Sequence, residues 1–334
     1  MTAVHESKYH GLIESIGHLL ESGRNQVAQS VNIILVQTYW TVGQYIVEFE
    51  QQGNEKAEYG TFLFEQLSRD LTSRYGKGFS RSNLLYMRKF YLEFQKRETL
   101  SNVLSWSHYF EILKSDDPLE IQFYTKQSEK EKWSVRELKR QMKSMLFHRI
   151  AMGKDKSQIL QLSQEGQEIQ EPKDILKDPF VLEFLQIPEH LPYLESELEE
   201  RIISNLQHFL LELGKGFTFE KRQYRIPVEG KHLYVDLVFY HRILKCFVLI
   251  DLKRGEVNHQ DIGQMNLYLN YFKKEVNMPE DNEPIGIVLG AHKNQVLVEY
   301  ATESIDNQLF VSKYQLYFPE KTTLIKELNK LLNE

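Results

Sequence analysis

The stretch that decides the fold is Leu233–Gly255, LYVDLVFYHRILKCFVLIDLKRG. Lys231–His241 and Lys245–Arg254 read as two strands, rich in Val, Ile, Leu, Phe and Tyr. Both are apolar almost throughout, as strands covered on both faces are. Asp236, Asp251 and Lys253 interrupt them, and a buried charge is costly unless it is paired or bound to metal. If the strands form an antiparallel hairpin turning between Ile243 and Leu244, Asp236 stands opposite Asp251. That register is an assumption: Ile-Leu is a poor two-residue turn, and a longer turn over Arg242–Lys245 is the alternative. Lys253 shares the face of Asp251, because the strand period is two. Facing carboxylates repel unless a cation or a shared proton lies between them. Mg²⁺ fits such a pair, since it takes one or two carboxylates plus water and phosphate oxygens. The competing reading is a structural ion pair between Lys253 and one aspartate, and the second aspartate weighs against it.

Outward from this hairpin, the spacing predicts a helix over Glu195–Leu213, stopped by Gly214-Lys215-Gly216, and a strand over Phe217–Pro227. Beyond it come a helix over Asp261–Glu275, a buried strand over Ile285–Gly290, a helix over Asn294–Ala301, a strand within Leu309–Phe318 and a helix over Thr322–Asn333. Helix, three strands, helix, strand implies a mixed sheet with helices on both faces. Gln223 and Arg225 lead toward the same sheet, and His259 is a lone loop histidine.

The first half reads as helical. Gln26–Phe49 carries Val27, Val31, Ile34, Leu35, Thr38, Val42, Tyr45, Ile46 and Phe49 at helical spacing. A second helix runs Phe62–Tyr75. Gly76-Lys77-Gly78 ends it, and Ser80 caps a third helix to about Gln95. Helix, glycine turn and basic helix is the outline of a helix-turn-helix, and equally of an ordinary helical hairpin. Residues 74–97 hold seven basic residues and one acid, a net +6, and Arg81, Asn83, Arg88 and Lys89 offer donors to phosphates or base edges. A second basic run, with Arg136, Lys139 and Arg140, follows Ser134 in a helix reaching Ile150. Residues 151–178 lose periodicity and read as a linker or peripheral segment. Eleven acids against two lysines give 165–200 a net −9, either a solubilised connection or a screen for the basic face.

The chain has 334 residues, long enough for two domains, here 10–150 and 179–334 around that segment. Its total charge of −6 conceals the segregation just described. A single cysteine, Cys246, excludes internal disulfides and thiolate metal cages. No apolar run is long enough for a membrane span, and the N-terminus has no apolar leader, so a cytoplasmic location is expected.

Asp236 and Asp251-x-Lys253, on neighbouring strands after a helix, resemble the PD-(D/E)xK nuclease superfamily. The wider wording is more specific: ESELEERIISNLQHFLLELGKGFTFEKRQYRI, YVDLVFYHRILKCFVLIDLKRG and QDIGQMNLYLNYF, with YWTVGQYI, GFSRSNLLYMRKFY, LSWSHY and WSVRELKRQM upstream. Together these segments resemble the bacterial YhcG-type branch from about residue 10 to 320. Val235 stands where the superfamily label has proline.

The resemblance implies an α+β protein of two domains. The first would be an all-α helix-turn-helix, winged-helix-like DNA-binding domain; the second a restriction-endonuclease-like core with a mixed central sheet. It implies hydrolysis of nucleic-acid phosphodiesters, of DNA first, with Mg²⁺ or Mn²⁺ in its place. Asp236, Asp251 and the Leu252 carbonyl would hold the metal, and Lys253 would orient the attacking water. The superfamily adds a helix glutamate. Glu195, Glu197, Glu199 and Glu200 compete for that place, and Glu199, on the stripe of Ile203, Leu206 and Leu210, is the best placed. Gln264, on the helix after the D-x-K strand, takes the place of a polar helper near phosphate. Arg81, Asn83, Arg88, Lys89, Arg136, Lys139 and Arg140 would contact nucleic acid. The alternatives are a catalytically silent DNA- or protein-binding module, against which the intact triad speaks, and an RNase or nicking subunit. A homo-oligomer or a larger defence or repair complex is compatible with each.

Overall fold

The computed structural model describes residues 3–51, 57–97, 100–152, 154–188, 192–228, 231–292 and 308–333. The helix expected over Asn294–Ala301 lies outside them. The chain divides into two compact units, Met1–Lys139 and Arg140–Glu334. No described helix is long and apolar enough to cross a membrane.

The first unit is helical throughout its described residues: α1 (Ala3–Gln51), α2 (Ala57–Tyr75), α3 (Arg81–Glu93), α4 (Trp106–Ile112), α5 (Pro118–Glu131) and the first part of α6 (Val135–Lys143). They include no strand that could form a wing. Ser80 caps α3 as expected, accepting from the Asn83 amide at 3.3 Å. Ile46, Phe64, Leu84 and Met87 make a shared core of α1, α2 and α3. A Cβ on Gly43 would overlap the Met87 carbonyl, so glycine lets α1 and α3 pack backbone to backbone. The stripe expected on α1 differs from the buried one. Val36, Trp40, Ile46 and Val47 are inside, whereas Val27, Val31, Ile34, Leu35, Tyr45 and Phe49 are exposed.

In the second unit the basic run breaks at Met145, whose backbone is left-handed (φ 55°), and α7 (Leu146–Ala151) follows. Residues 151–178 carry α8 (Lys156–Glu165) and a 3-10 turn (Pro172–Ile175), with Ile159, Leu162 and Ile175 buried. Next come β1 (Phe180–Val181), α9 (Glu195–Ser204) and α10 (Leu206–Leu213). Asn205 divides these two helices, where the sequence implied one. β2 (Phe217–Val228), β3 (Lys231–His241) and β4 (Cys246–Glu256) lead to α11 (His259–Tyr271), β5 (Ile285–His292), β6 (Gln308–Gln315) and α12 (Lys321–Asn333).

The sheet is mixed, in the order β1-β6-β5-β4-β3-β2. β3 is antiparallel to both β2 and β4, and β4, β5, β6 and β1 run parallel to one another. α9 and α10 cover one face with Leu198, Ile202, Phe209 and Leu213, packed on Leu237, Phe239, Val248 and Ile250. α11 covers the other with Ile262, Met265, Tyr268 and Leu269, packed on Val238, Leu249 and Val288. A Cβ on Gly286 would lie 2.7 Å from Met265 Cγ, so this glycine seats α11 close on the sheet.

Candidate active site

The β3–β4 hairpin has the register that opposes the two aspartates. His241 faces Cys246 and Leu237 faces Ile250, around a turn of Arg242–Lys245. The next positions outward are Asp236 and Asp251. There the ladder stops, because Asp236 Oδ2 takes the backbone N–H of Leu252 at 2.8 Å. The strands part at the point where the two carboxylates stand.

On the other side of Asp236, the β2–β3 pairing passes from Arg222–Leu237 to Tyr224–Val235. Between them Gln223 sits in the left-handed region, φ 48°, a costly state for a residue with a Cβ. Its amide Nε2 donates to Asp236 Oδ1 at 3.1 Å and to Glu199 Oε2 at 2.6 Å. One neutral side chain thus ties a sheet carboxylate to a helix carboxylate. Glu199 is the only buried one of the four glutamates, 6% exposed, and Arg222 Nε lies 3.5 Å from its Oε1.

Lys253 Nζ is 2.8 Å from Asp251 Oδ2 and 3.8 Å from Asp261 Oδ1 at the start of α11. Glu195 Oε1 accepts the Arg254 N–H at 3.0 Å. Gln264 does not stand free; its Nε2 donates to the Tyr268 hydroxyl at 2.6 Å, which donates to the Tyr234 carbonyl at 2.9 Å. The Tyr268 ring is core and its hydroxyl is polar, so both readings of that residue hold at different atoms.

One lysine serves several carboxylates, and the electrostatics follow. Burial first, and Asp236 second, push the Asp251 carboxyl up to about 7. Burial also raises Asp236 and Glu199, against the hydrogen bonds that each accepts. Burial works against the Lys253 ammonium, but Asp251, Glu195 and Asp261 together outweigh it and the lysine is raised. Glu199 Oε1 and Asp251 Oδ2 are both buried, and the contacts they make are ion pairs, with Arg222 at 3.5 Å and Lys253 at 2.8 Å. Such a site is short of positive charge, and its acceptors are hard oxygens suited to a divalent cation. No three His, Cys, Asp or Glu side chains form a ready-made metal cage among the described residues. The carboxylates at hand for a cation are those of Asp236 and Asp251.

Residues 173–332 match the family described as the YhcG PDDEXK nuclease domain, and residues 15–149 match the DUF1016 N-terminal domain. A curated Escherichia coli (strain K12) protein described as "Putative nuclease YhcG" is 37% identical over 352 aligned positions, 96% of this chain and 93% of its own. The chain belongs to the YhcG-type PD-(D/E)xK nuclease family. Remote likenesses to solved structures cover about 40% of this chain and 50% of theirs. They include a repair endonuclease from Pyrococcus abyssi (20% identity, TM-score 0.28) and the EndoMS-dsDNA2 complex (20% identity, TM-score 0.29). Likenesses this remote carry no inference about activity.

The positions carried onto this YhcG-type chain from its sequence fall into two groups. Asp236, Asp251, Lys253 and Glu199 converge. Gln264 reaches them only through Tyr268, whose hydroxyl is raised by burial and then by Asp251 and Asp236. Among the expected nucleic-acid contacts, Arg81 is exposed on α3 and Arg136 is exposed on α6. Lys139 is also exposed and lies 3.7 Å from Glu111. Arg88 pairs with Glu50 at 2.7 Å and Lys89 with Asp116 at 2.6 Å. Two of the expected contacts have partners inside the fold. Asn83 is spent inside its own unit, donating to the Gly78 carbonyl and accepting from Trp106 Nε1. Arg140 is held by Glu183 at 3.2 Å and Glu212 at 3.3 Å, in a buried ion cluster. The acidic stretch is no bare run either. Asp174 pairs with Lys154, Asp178 accepts the Lys313 N–H and Glu183 pairs with Arg140.

Sequence reading underrated Gln223, Glu195 and Asp261. Asp261 had a local signal, since Asn258 and Asp261 form a capping box at the start of α11. Gln223 was placed toward the sheet by its strand, but nothing in the sequence marked its left-handed backbone.

Proposed function

We propose that the second unit hydrolyses phosphodiester bonds of nucleic acid, with DNA as the substrate, and that the first unit binds that DNA. The observation that carries the reading is the group of buried Asp251 and Glu199 with half-buried Asp236, three carboxylates served by the Lys253 ammonium and by Arg222 at 3.5 Å from Glu199. Asp236, Asp251 and the Leu252 carbonyl would hold Mg²⁺, with Mn²⁺ able to replace it. The cation, when bound, supplies charge neutralisation at the scissile phosphate and a more acidic water.

The remaining work belongs to the chain. Leu252 N–H fixes one Asp236 oxygen, and the Gln223 amide fixes the other. Lys253, held by Asp251, presents an ammonium that orients the attacking water and stabilises charge growing on phosphate oxygens. Glu199, held by Gln223, adds a carboxylate on the helix side, and Gln264 steadies the Tyr268 hydroxyl. Arg81, Arg88, Lys89, Arg136 and Lys139 would contact the phosphate backbone.

The test is cleavage by the full-length protein of duplex, single-stranded and branched DNA and of RNA, with Mg²⁺, with Mn²⁺ and with chelator. Cation-dependent DNA cleavage that disappears in Asp251→Ala is the expected result. Cleavage that persists in chelator or in Asp251→Ala overturns the site. Charge reversal at Arg81 and Arg136 should flatten the salt dependence of binding by roughly 0.9 log unit per lost phosphate contact. An unchanged slope removes the first unit from the reading.

A further inference from the structure

The first half of α1 carries an apolar stripe that no described residue of its own unit buries. Val36 is the first buried residue among the described side chains of α1, and before it the large apolar side chains are exposed apart from half-buried Ile33. Ile13, Leu20, Val27 and Ile34 recur at intervals of seven and are 48 to 65% exposed, the spacing of a helix–helix seam. Helical stability in proteins comes mainly from packing of such a face, so a helix this long with a bare stripe calls for a cover.

The order of residues says what the cover is. Between Leu12 and Leu35, LIESIGHLLESGRNQVAQSVNIIL, the apolar positions read nearly the same in both directions about the Gly23–Arg24 bond. Leu12 mirrors Leu35, Ile13 mirrors Ile34, Ile16 mirrors Val31 and Leu20 mirrors Val27. A two-fold antiparallel pair of identical helices brings together such mirror positions, residue i on residue j and j on i. Most helices would lay some apolar layers on polar ones in that arrangement; this one lays apolar on apolar in all four.

We propose that this face is the interface of an antiparallel homodimer, α1 against α1 of a second copy. The eight paired side chains are 39 to 65% exposed and leave on the order of 700 Å² of apolar surface per copy. One partner of a standard interface contributes about 800 Å². The pairing spans about 35 Å at 1.5 Å per residue and stops at Leu35, one residue before the unit's own core takes over at Val36. Each copy therefore keeps its packed end clear of the seam. Gly23, with no atom within 4 Å of where its Cβ would be, lies at the two-fold axis, where the helices come closest.

The test is the mass of the full chain in solution, by sedimentation equilibrium at micromolar concentration, and cysteine cross-linking. Twice the chain mass is expected. Leu20→Glu with Val27→Glu puts four carboxylates into the centre of the seam and should return the mass to one chain. Ser22→Glu with Asn25→Glu, on the outer side, should leave the dimer intact. Should the seam variant lose helix, cross-linking still decides. Ile13→Cys chains mixed with Ile34→Cys chains should form disulfide-linked pairs, and Ile13→Cys alone should not; the native Cys246 is buried. A single-chain mass for the parent, equal loss from both glutamate pairs, or self-linking of Ile13→Cys as in a parallel pair would each overturn the proposal.

Discussion

Asp251 and Glu212 are buried carboxylates of the same unit, and their surroundings are opposite. Glu212 is fully buried at the end of α10. Arg149 reaches it at 2.5 Å, Arg140 at 3.3 Å and the Val181 N–H at 2.9 Å, while Lys177 donates to its backbone carbonyl. Burial alone would raise its pKa, but Arg149, Lys177 and Arg140 overcome it and hold Glu212 below the usual glutamate value. Asp251 has one lysine, itself shared with Asp261, and faces Asp236. The first cluster is complete within the chain. The second leaves two facing carboxylates with one shared lysine, and that asymmetry separates a structural ion cluster from a candidate site.

The comparison can be broken most severely on its structural side. Glu212→Gln leaves the Arg149 guanidinium buried without its counter-charge, and removing one partner of a buried pair costs about 3–5 kcal/mol. Urea unfolding should show that loss, with activity per folded molecule retained. A midpoint within error of the parent would mean that the cluster holds nothing together.

Asp251→Asn should act in the reverse sense. Cleavage is expected to fall by about a thousandfold, equivalent to about 4 kcal/mol of transition-state stabilisation. The metal-free fold should gain about 1 kcal/mol, because a crowded carboxylate is gone. A variant less stable than the parent in chelator would show that Asp251 is already compensated.

The pH dependences should also diverge. With its pKa raised to about 7 from 3.8, the folded Asp251 keeps a proton that the unfolded chain releases. The metal-free protein therefore loses stability as pH rises from about 4 to 7, by at most ~1.4 kcal/mol per pH unit for this group. Glu212, with a lowered pKa, contributes stability that is present above its unfolded value and lost as pH falls through the folded one. Unfolding midpoints in chelator from pH 4 to 8, for the parent and Asp251→Asn, check this. The same slope in both would remove Asp251 as its source.

The smallest effect sharpens the inner geometry. Gln223→Ala removes the amide between Glu199 and Asp236 and should slow cleavage about tenfold, or ~1.4 kcal/mol. Because alanine keeps the positive φ strained, Gln223→Gly separates the lost amide from the backbone. Equal slowing in both assigns the effect to the side chain.

Much of the second unit was legible before any coordinates. Strand periodicity placed β3 and β4 within a residue or two, and the hairpin register follows from the face that Asp236 and Asp251 must share. The helical stripe singled out Glu199 from its three neighbours. Charge counting was less reliable. It grouped Arg140 with Arg136 and Lys139 by proximity in sequence, but on a helix adjacent residues point different ways, and Arg140 turned inward to Glu183 and Glu212. It likewise could not see that Asn83 would be used by Gly78 and Trp106.

The sequence by itself determined the order of elements, the pairing of the two aspartates and the family, because periodicity and strand register are local properties that neighbouring residues impose on one another. Only the tertiary structure decided which charges are compensated. The Gln223 bridge, the Asp261 approach to Lys253 and the Arg149–Glu212 pair join residues 8 to 63 positions apart on separate elements. Whether a buried carboxylate is satisfied depends on which groups lie within a few ångströms of it, and that is fixed by packing rather than by spacing along the chain.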